Sequence, residues 1–170
     1  MKTGLQAVAR RTVAATAICL ALPLMLTAGA APAAAEDTVT VVITRVKGLD
    51  RFDVGGGKPD FFARVTIAGE TFKTDPVKQQ MDIKPDWKIS KKVKSGKHDV
   101  KIEIFDKDVG SPSDKVDINR VDNKRDLDFT VDTNSCNISG FSGGYSCGDT
   151  ITRAGREKKN AEIQFRVRAK

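Results

Sequence analysis

Three aspartates, Asp106, Asp108 and Asp114, follow directly after a strand-like segment of the chain. Residues 98–105 alternate between polar and apolar side chains, a period that predicts a half-buried β-strand. A glycine and a proline between the second and third aspartates prevent regular structure there. Three carboxylates at one strand exit repel one another unless a cation lies among them. Calcium takes roughly six to eight oxygen ligands, so this loop predicts one half of a calcium site.

Two further aspartates, Asp53 and Asp60, flank a run of three glycines ahead of another strand-like segment. Here the chain resembles the C2 domain, the calcium- and phospholipid-binding module of protein kinase C and synaptotagmins. That family has a leucine four residues before its first aspartate, as Leu49 precedes Asp53. A second aspartate opens the next strand of the family, as Asp60 does here. The two loops are therefore predicted to form one site.

The loop after the strand carries the more specific part of the resemblance. The family uses Asp-x-Asp followed six residues later by a third aspartate, often with a serine between them. Asp106, Asp108, Ser111 and Asp114 match this pattern without a gap. Trp87, two residues after a proline, is similar to the family's asparagine-proline-x-tryptophan/phenylalanine segment. The resemblance covers residues 38–115 and a C-terminal strand.

The chain also departs from the family pattern in three places. Lys84 replaces the asparagine before the proline. One residue is inserted between Asp53 and Asp60 relative to the commonest spacing, and Phe61 stands where a proline is usual. The geometry of the first loop is therefore less determined by the resemblance than that of the later loop.

The resemblance implies a set of calcium ligands and a membrane contact. Asp53 and Asp106 would bridge adjacent ions, and the other ligands would complete the coordination. The implied ligands are Asp53, Asp60, Asp106, the carbonyl of Lys107, Asp108, the hydroxyl of Ser111 and Asp114. Positions left open on calcium would accept phosphate oxygens of an anionic phospholipid. Val54 and Val109 would lie at the loop tips, where their small size predicts shallow insertion.

An EF-hand is the alternative calcium motif for this loop. Asp106, Asp108 and Asp117 fall at its first, third and twelfth positions. However, Gly110 occupies the fifth position and Ser111 replaces the turn glycine. The flanking segments also have the pattern of strands, whereas an EF-hand needs helices. We therefore reject the EF-hand.

The N-terminal segment is predicted to be a secretory signal peptide over residues 1–35. It has basic residues near its start, an apolar run over 13–26 and three alanines before Glu36. This run is too short to span a bilayer. No later segment is apolar enough to do so. We expect a secreted, extracellular protein that is not an integral membrane protein, with one domain over residues 36–170.

Two cysteines, Cys136 and Cys147, remain after the predicted leader, which contains Cys19. In an oxidising compartment a single disulfide between them is the expected state. The alternative, two thiols in redox catalysis or metal binding, lacks a close CxxC spacing and a nearby histidine. The disulfide would close a glycine-rich loop.

The mature segment has about eight strand-like segments and no convincing amphipathic helix. This pattern predicts an all-β fold, an antiparallel β-sandwich. The resemblance adds a C2-like Greek-key connection. The predicted strands are 38–45, 61–68, 71–74, 87–93, 100–105, 115–120, 126–132 and 161–168.

Composition excludes several classes of function. The 29 basic and 22 acidic residues, with three basic and no acidic residues in the leader, give the mature segment a net charge of +4. Its few aromatic residues are not interleaved with basic ones, so we expect no nucleic-acid binding. His98 is the only histidine, no serine has a nucleophile elbow, and no phosphate-binding glycine loop is present. We therefore expect no enzymatic activity.

Lysines surround the strand that begins at Trp87. In proteins of the C2 type such lysines often form a polybasic face that binds phosphoinositides. The alternative, which we favour, is solvated charge that protects a sheet face or edge. These lysines are Lys73, Lys78, Lys88, Lys91, Lys92, Lys94 and Lys97.

The leading functional hypothesis is a monomeric, secreted calcium-binding module that docks onto an anionic membrane or other anionic surface. The alternative is a structural or interaction domain that calcium only rigidifies, with a protein or polysaccharide as its partner. Calcium-dependent binding to vesicles distinguishes the two.

Overall fold

The alternating segments of the sequence form strands in the computed structural model, which describes residues 35–52, 57–108 and 110–170. Asp53, Val54 and Val109 lie outside these described residues, as do residues 1–34 of the predicted leader. The signal peptide, the predicted calcium ligand Asp53 and both predicted membrane contacts therefore stay predictions. The described residues belong to one unit that spans residues 33–170.

Over the described ranges the chain forms twelve strands and no helix, so no helix there is able to cross a membrane. The strands are β1 (Glu36–Gly48), β2 (Phe61–Ile67), β3 (Glu70–Lys73), β4 (Asp82–Ile83), β5 (Trp87–Lys94), β6 (Lys97–Asp106), β7 (Asp114–Val116), β8 (Leu127–Asp132), β9 (Asn137–Ser139), β10 (Tyr145–Ser146), β11 (Ile151–Ala154) and β12 (Ala161–Ala169). The sequence pattern missed β4, β9, β10 and β11, because two to four residues carry too little alternation. The strand predicted over 115–120 ends at Val116.

The strands form two antiparallel sheets, which confirms the predicted sandwich. One sheet has the order β11-β12-β1, with β4 and β5 both paired to β1. The other has the order β10-β9-β8-β6-β2-β3, with β7 paired to β6. A register shift between Ile43 and Arg45 divides β1 into two parts. The part before the shift pairs with β5 and the part after it with β4.

Alternate residues of the paired strands form the core between the sheets. Val41 of β1 lies opposite Val167 of β12 and Ile89 of β5, so one row of apolar side chains crosses the sheet. The rings of Phe129 in β8 and Phe165 in β12 are 5.6 Å apart and join the two sheets. Each fully buried side chain of this size contributes about 1.5–3 kcal/mol.

The predicted disulfide between Cys136 and Cys147 is confirmed, with the two Cα atoms 5.2 Å apart. The backbone N–H of Cys147 also donates to the carbonyl of Cys136 over 2.9 Å. This bond continues the ladder between β9 and β10, in which Ser146 pairs with Asn137. The disulfide therefore closes the open end of a hairpin whose two strands are too short to hold together alone.

The lysines of β5 and Lys73 of β3 lie on strands of different sheets. β3 lies in the seven-stranded sheet, and β5 lies in the five-stranded sheet. Lys91 contacts the other sheet, since its Nζ donates to the carbonyl of Ala68 over 2.9 Å and pairs with Glu70 over 3.3 Å. Lys91 therefore joins the edges of the two sheets, and both interpretations of these lysines stay predictions.

Candidate metal centre

Strand pairing brings three of the predicted aspartates to one end of the seven-stranded sheet. Asp106 is the last residue of β6, and it lies opposite Phe61, the first residue of β2. Asp60 directly precedes that residue. On the other side of β6, Asp106 lies opposite Asp114, the first residue of β7. The registers of two neighbouring pairs therefore place Asp60, Asp106 and Asp114 next to one another.

Backbone hydrogen bonds orient the two innermost carboxylates. Asp106 is only 2% exposed, and its Oδ1 accepts a hydrogen bond from the N–H of Asp60 over 2.7 Å. Asp60 is half-buried, and its Oδ1 accepts from the N–H of Gln79 over 2.7 Å. The carbonyl of Asp60 accepts from the N–H of Lys107 over 3.0 Å. The first loop and the loop after β6 are thus joined directly through these aspartates.

A lysine from a distant loop supplies a positive charge at this end. The ammonium of Lys159, between β11 and β12, forms an ion pair with the carboxylate of Asp114. The hydrogen bond to Asp114 is the main cause that raises the pKa of Lys159 above its ordinary value. The negative charges of Asp108 and Asp106 raise this pKa further. The carboxylates of Asp106, Asp108 and Asp114, called the loop end below, therefore attract the ammonium in the folded chain.

The backbone of Lys159 is held on both sides. Its N–H donates to Oδ2 of Asp50 over 3.0 Å, and its carbonyl accepts from the N–H of Asp117 over 3.0 Å. Hydrogen bonds from the N–H of Arg51, which has the larger effect, and from the N–H of Lys159 lower the pKa of Asp50. Asp50 therefore joins the loop after β1 to the loop that carries Lys159.

An open cleft of about 620 Å³ lies beside the ion pair. Ser111, which is exposed, and the half-buried Asp108 both border this cleft. The aromatic ring of Phe52 is 2% exposed and packs edge-on against Phe61, with 5.2 Å between the ring centroids. The residues that line the cleft are Arg51, Phe52, Asp108, Ser111, Pro112, Asp114 and Lys159.

The donor set fits calcium in its chemistry. Carboxylate, hydroxyl and backbone carbonyl oxygens are the ligands that this cation prefers. The ammonium of Lys159 acts as a stand-in cation, since it lies where three negative side chains raise its pKa. In the ranges that the structure describes, no three acidic, histidine or cysteine side chains converge closely enough to hold a metal ion. The fit to calcium is therefore one of ligand chemistry, and Asp53, a further predicted ligand, lies outside the described residues.

The sequence pattern did not identify Lys159 as part of this loop end. Lys159 lies 45 residues from Asp114, in a basic segment whose composition resembles ordinary solvated charge. The pairing of β12 with β1 and the hydrogen bonds to Asp50 and Asp117 bring the loop of Lys159 beside the aspartates. No local spacing could therefore have indicated this contact.

Comparison with solved structures identifies the fold as that of a C2 domain. A structure of two C2 domains, A and B, of extended synaptotagmin 2 has a TM-score of 0.60 and 12% identity, over 89% of this chain and 48% of that chain. A calcium-bound structure of the same two domains has a TM-score of 0.53 and 14% identity, over 78% and 45%. C2 domain A of a plant extended synaptotagmin 1 has a TM-score of 0.53 and 13% identity, over 78% and 93%.

A human GIVD cytosolic phospholipase A2 also matches, with a TM-score of 0.51 and 13% identity. The match covers 81% of this chain and only 17% of the phospholipase, so it concerns a small part of that enzyme. No family model matches the sequence, and no curated protein matches it. At these identities the solved structures establish the fold alone.

Proposed function

We propose that this protein is a secreted calcium-binding module that docks onto an anionic phospholipid surface when calcium is bound. The observation that carries the proposal is the strand register that places Asp60, Asp106 and Asp114 at one end of a C2-type sandwich. The structure of extended synaptotagmin 2 with calcium bound supports the choice of metal. The ion pair of Lys159 with Asp114 supports a site for cations.

The proposed ligands are those of the sequence pattern. Asp53 and Asp106 would bridge adjacent calcium ions, and the N–H of Asp60 orients the carboxylate of Asp106. Calcium supplies a positive charge with open coordination positions for phosphate oxygens. The remaining proposed ligands are Asp60, the carbonyl of Lys107, Asp108, the hydroxyl of Ser111 and Asp114.

Electrostatic attraction is the proposed basis of docking. The segment after the leader has a net charge of +4, which favours approach to an anionic surface. Val54 and Val109, the proposed loop tips, are small and add little apolar burial. The match covers only 17% of the phospholipase, so the catalytic activity of that enzyme is not part of the proposal. We propose a binding module without enzymatic activity.

Calorimetry with calcium and sedimentation with phosphatidylserine–phosphatidylcholine vesicles test this function. The wild type should bind calcium at up to about millimolar concentration and gain thermal stability by mass action. It should sediment with the vesicles only when calcium is present. The double variant Asp106→Asn with Asp108→Asn removes two negative charges and should lose both effects.

Asp122→Asn is the matched control, because this exposed residue pairs with Arg156 away from the cleft. It should retain calcium binding and sedimentation. Calcium binding without sedimentation would favour the alternative of a domain that calcium only rigidifies. Absence of calcium binding in the wild type would contradict the proposal.

Secretion has its own test. N-terminal sequencing of the extracellular protein should find Glu36 as the first residue, because the three alanines before it form the predicted cleavage site. A retained leader, or a lipid attached to Cys19, would contradict this part of the proposal.

A further inference from the structure

The ammonium of Lys159 lies beside carboxylates of the loop end. It pairs with Asp114, and the charges of Asp108 and Asp106 also act on it. These are three of the proposed calcium ligands. The positive charge comes from within the chain and is therefore present at every concentration of calcium.

The backbone around Lys159 keeps the ammonium close to this position. Asp117, which is fully buried, accepts hydrogen bonds at Oδ2 from the N–H groups of Arg156 (2.8 Å) and Glu157 (2.7 Å). Asp50 accepts a hydrogen bond from the N–H of Lys159 itself. A lysine on a free loop would lose much rotamer and backbone entropy when it forms an ion pair. Here the fold restricts the backbone, which favours a persistent ion pair.

We propose that Lys159 is a built-in competitor of calcium, which sets the calcium concentration at which the loop end fills. The inference rests on the proposed function, because it assumes that Asp108 and Asp114 are calcium ligands. An ammonium donates hydrogen bonds to carboxylate oxygens, whereas calcium needs the lone pairs of the same oxygens. Calcium therefore binds fully to Asp114 only after Lys159 leaves it.

Lys158 offers a matched comparison within the same loop. It has the same charge and is exposed, and its electrostatic effect is on Asp50. Replacing either lysine with methionine removes one positive charge from the loop and keeps an unbranched side chain. A general effect of net charge would be the same for both variants, whereas competition for Asp114 belongs to Lys159 alone.

The experiment is calorimetric titration of calcium into the full mature protein and its variants after treatment with EDTA. Lys159→Met should bind calcium about three- to fivefold more tightly than the wild type, as expected from the loss of a partly exposed ion pair. Lys158→Met should remain within about twofold of the wild type. Lys159→Arg keeps the charge and should keep the weaker affinity.

A melting experiment in EDTA adds a readout that does not depend on calcium. Lys159→Met should melt at a lower temperature than Lys158→Met, because the carboxylates of Asp108 and Asp114 lose their positive neighbour. Added calcium should remove this difference, since the metal then supplies the missing charge.

The outcomes separate this inference from the proposed function. Calcium binding with equal affinity in the wild type and Lys159→Met would overturn the inference and leave the proposed function standing. Calcium binding by Lys159→Met alone would support the inference and show that the wild type is not a calcium-dependent module. If neither protein binds calcium, both proposals are wrong.

Discussion

The carboxylate of Asp117 accepts a hydrogen bond from the backbone N–H of Glu157 over 2.7 Å, although the two residues are 40 positions apart. The same Oδ2 accepts from Arg156, and Oδ1 accepts from the N–H of Asn119 over 2.9 Å. Asp117 is fully buried, so these three N–H groups compensate for the loss of water around its charge. This residue joins the segment after β7 to the loop that carries Lys159.

Asp117→Asn should lower the free energy of unfolding by about 2–4 kcal/mol, because an amide removes the charge and turns one acceptor into a donor. Urea denaturation measures this change. Asp122→Asn, at an exposed ion pair with Arg156, should cost less than about 1 kcal/mol. Equal effects of the two substitutions would contradict the role of Asp117 as a buried anchor.

Gly155 gives a second test of the packing between Asp117 and the loop that carries Lys159. A Cβ at this position would overlap the backbone of Asp117 and lie 2.5 Å from its Cγ. Gly155→Ala should therefore displace the loop and lower the melting temperature by several degrees. Gly144→Ala is the control, because a Cβ there meets no atom within 4 Å. If Gly155→Ala and Gly144→Ala both melt at the temperature of the wild type, the close approach of Gly155 to Asp117 does not constrain the loop.

The strands and the core were largely predictable because a period of two residues is a local signal. β1, β2, β5, β6, β8 and β12 begin or end within a few residues of the predicted bounds. The sequence also predicted Asp106, Asp108 and Asp114 as a group, since their spacing along one short segment is specific. Pairing of β6 with β2 and β7 then explains why Asp60 and Asp114 meet Asp106.

The contacts that hold Lys159 were not predictable from the sequence. They join Asp114 to Lys159 across 45 residues and Asp50 to Lys159 across 109 residues. Such contacts depend on which strands become neighbours, and this depends on the whole sandwich. The buried charge of Asp117 was missed for the same reason, because an aspartate after a strand usually forms a solvated turn.

Removing the disulfide should destabilise the domain without changing its fold. The double variant Cys136→Ser with Cys147→Ser should lose roughly 3 kcal/mol of unfolding free energy, since the cross-link closes a short loop of the unfolded chain. Urea denaturation with and without a reducing agent measures the effect. The wild type should weaken on reduction and the double variant should not. Equal stability of the oxidised and reduced wild type would contradict this account.

Lys115 joins two carboxylates, since its Nζ is 2.7 Å from both Oε1 of Glu103 and Oδ2 of Asp126. Burial raises the pKa of Asp126, but the hydrogen bond and the charge of Lys115 outweigh it and hold this pKa below its ordinary value of 3.8. The stabilisation by ionised Asp126 is therefore complete above the unfolded-state pKa. It is lost as the pH falls through the lower pKa of the folded state.

Lys115→Met should remove this effect and make the protein more sensitive to acid. Without the ammonium of Lys115, only the charge of Lys101 and a backbone hydrogen bond oppose the effect of burial on the pKa of Asp126. The carboxyl then takes up its proton at a higher pH than in the wild type. Urea midpoints measured from neutral pH to about pH 2 should fall earlier for this variant. Lys124→Met removes the same charge from an exposed position and should follow the wild-type curve. Coincident curves for Lys115→Met and Lys124→Met would mean that acid unfolding depends on net charge rather than on the pairing of Lys115 with Asp126.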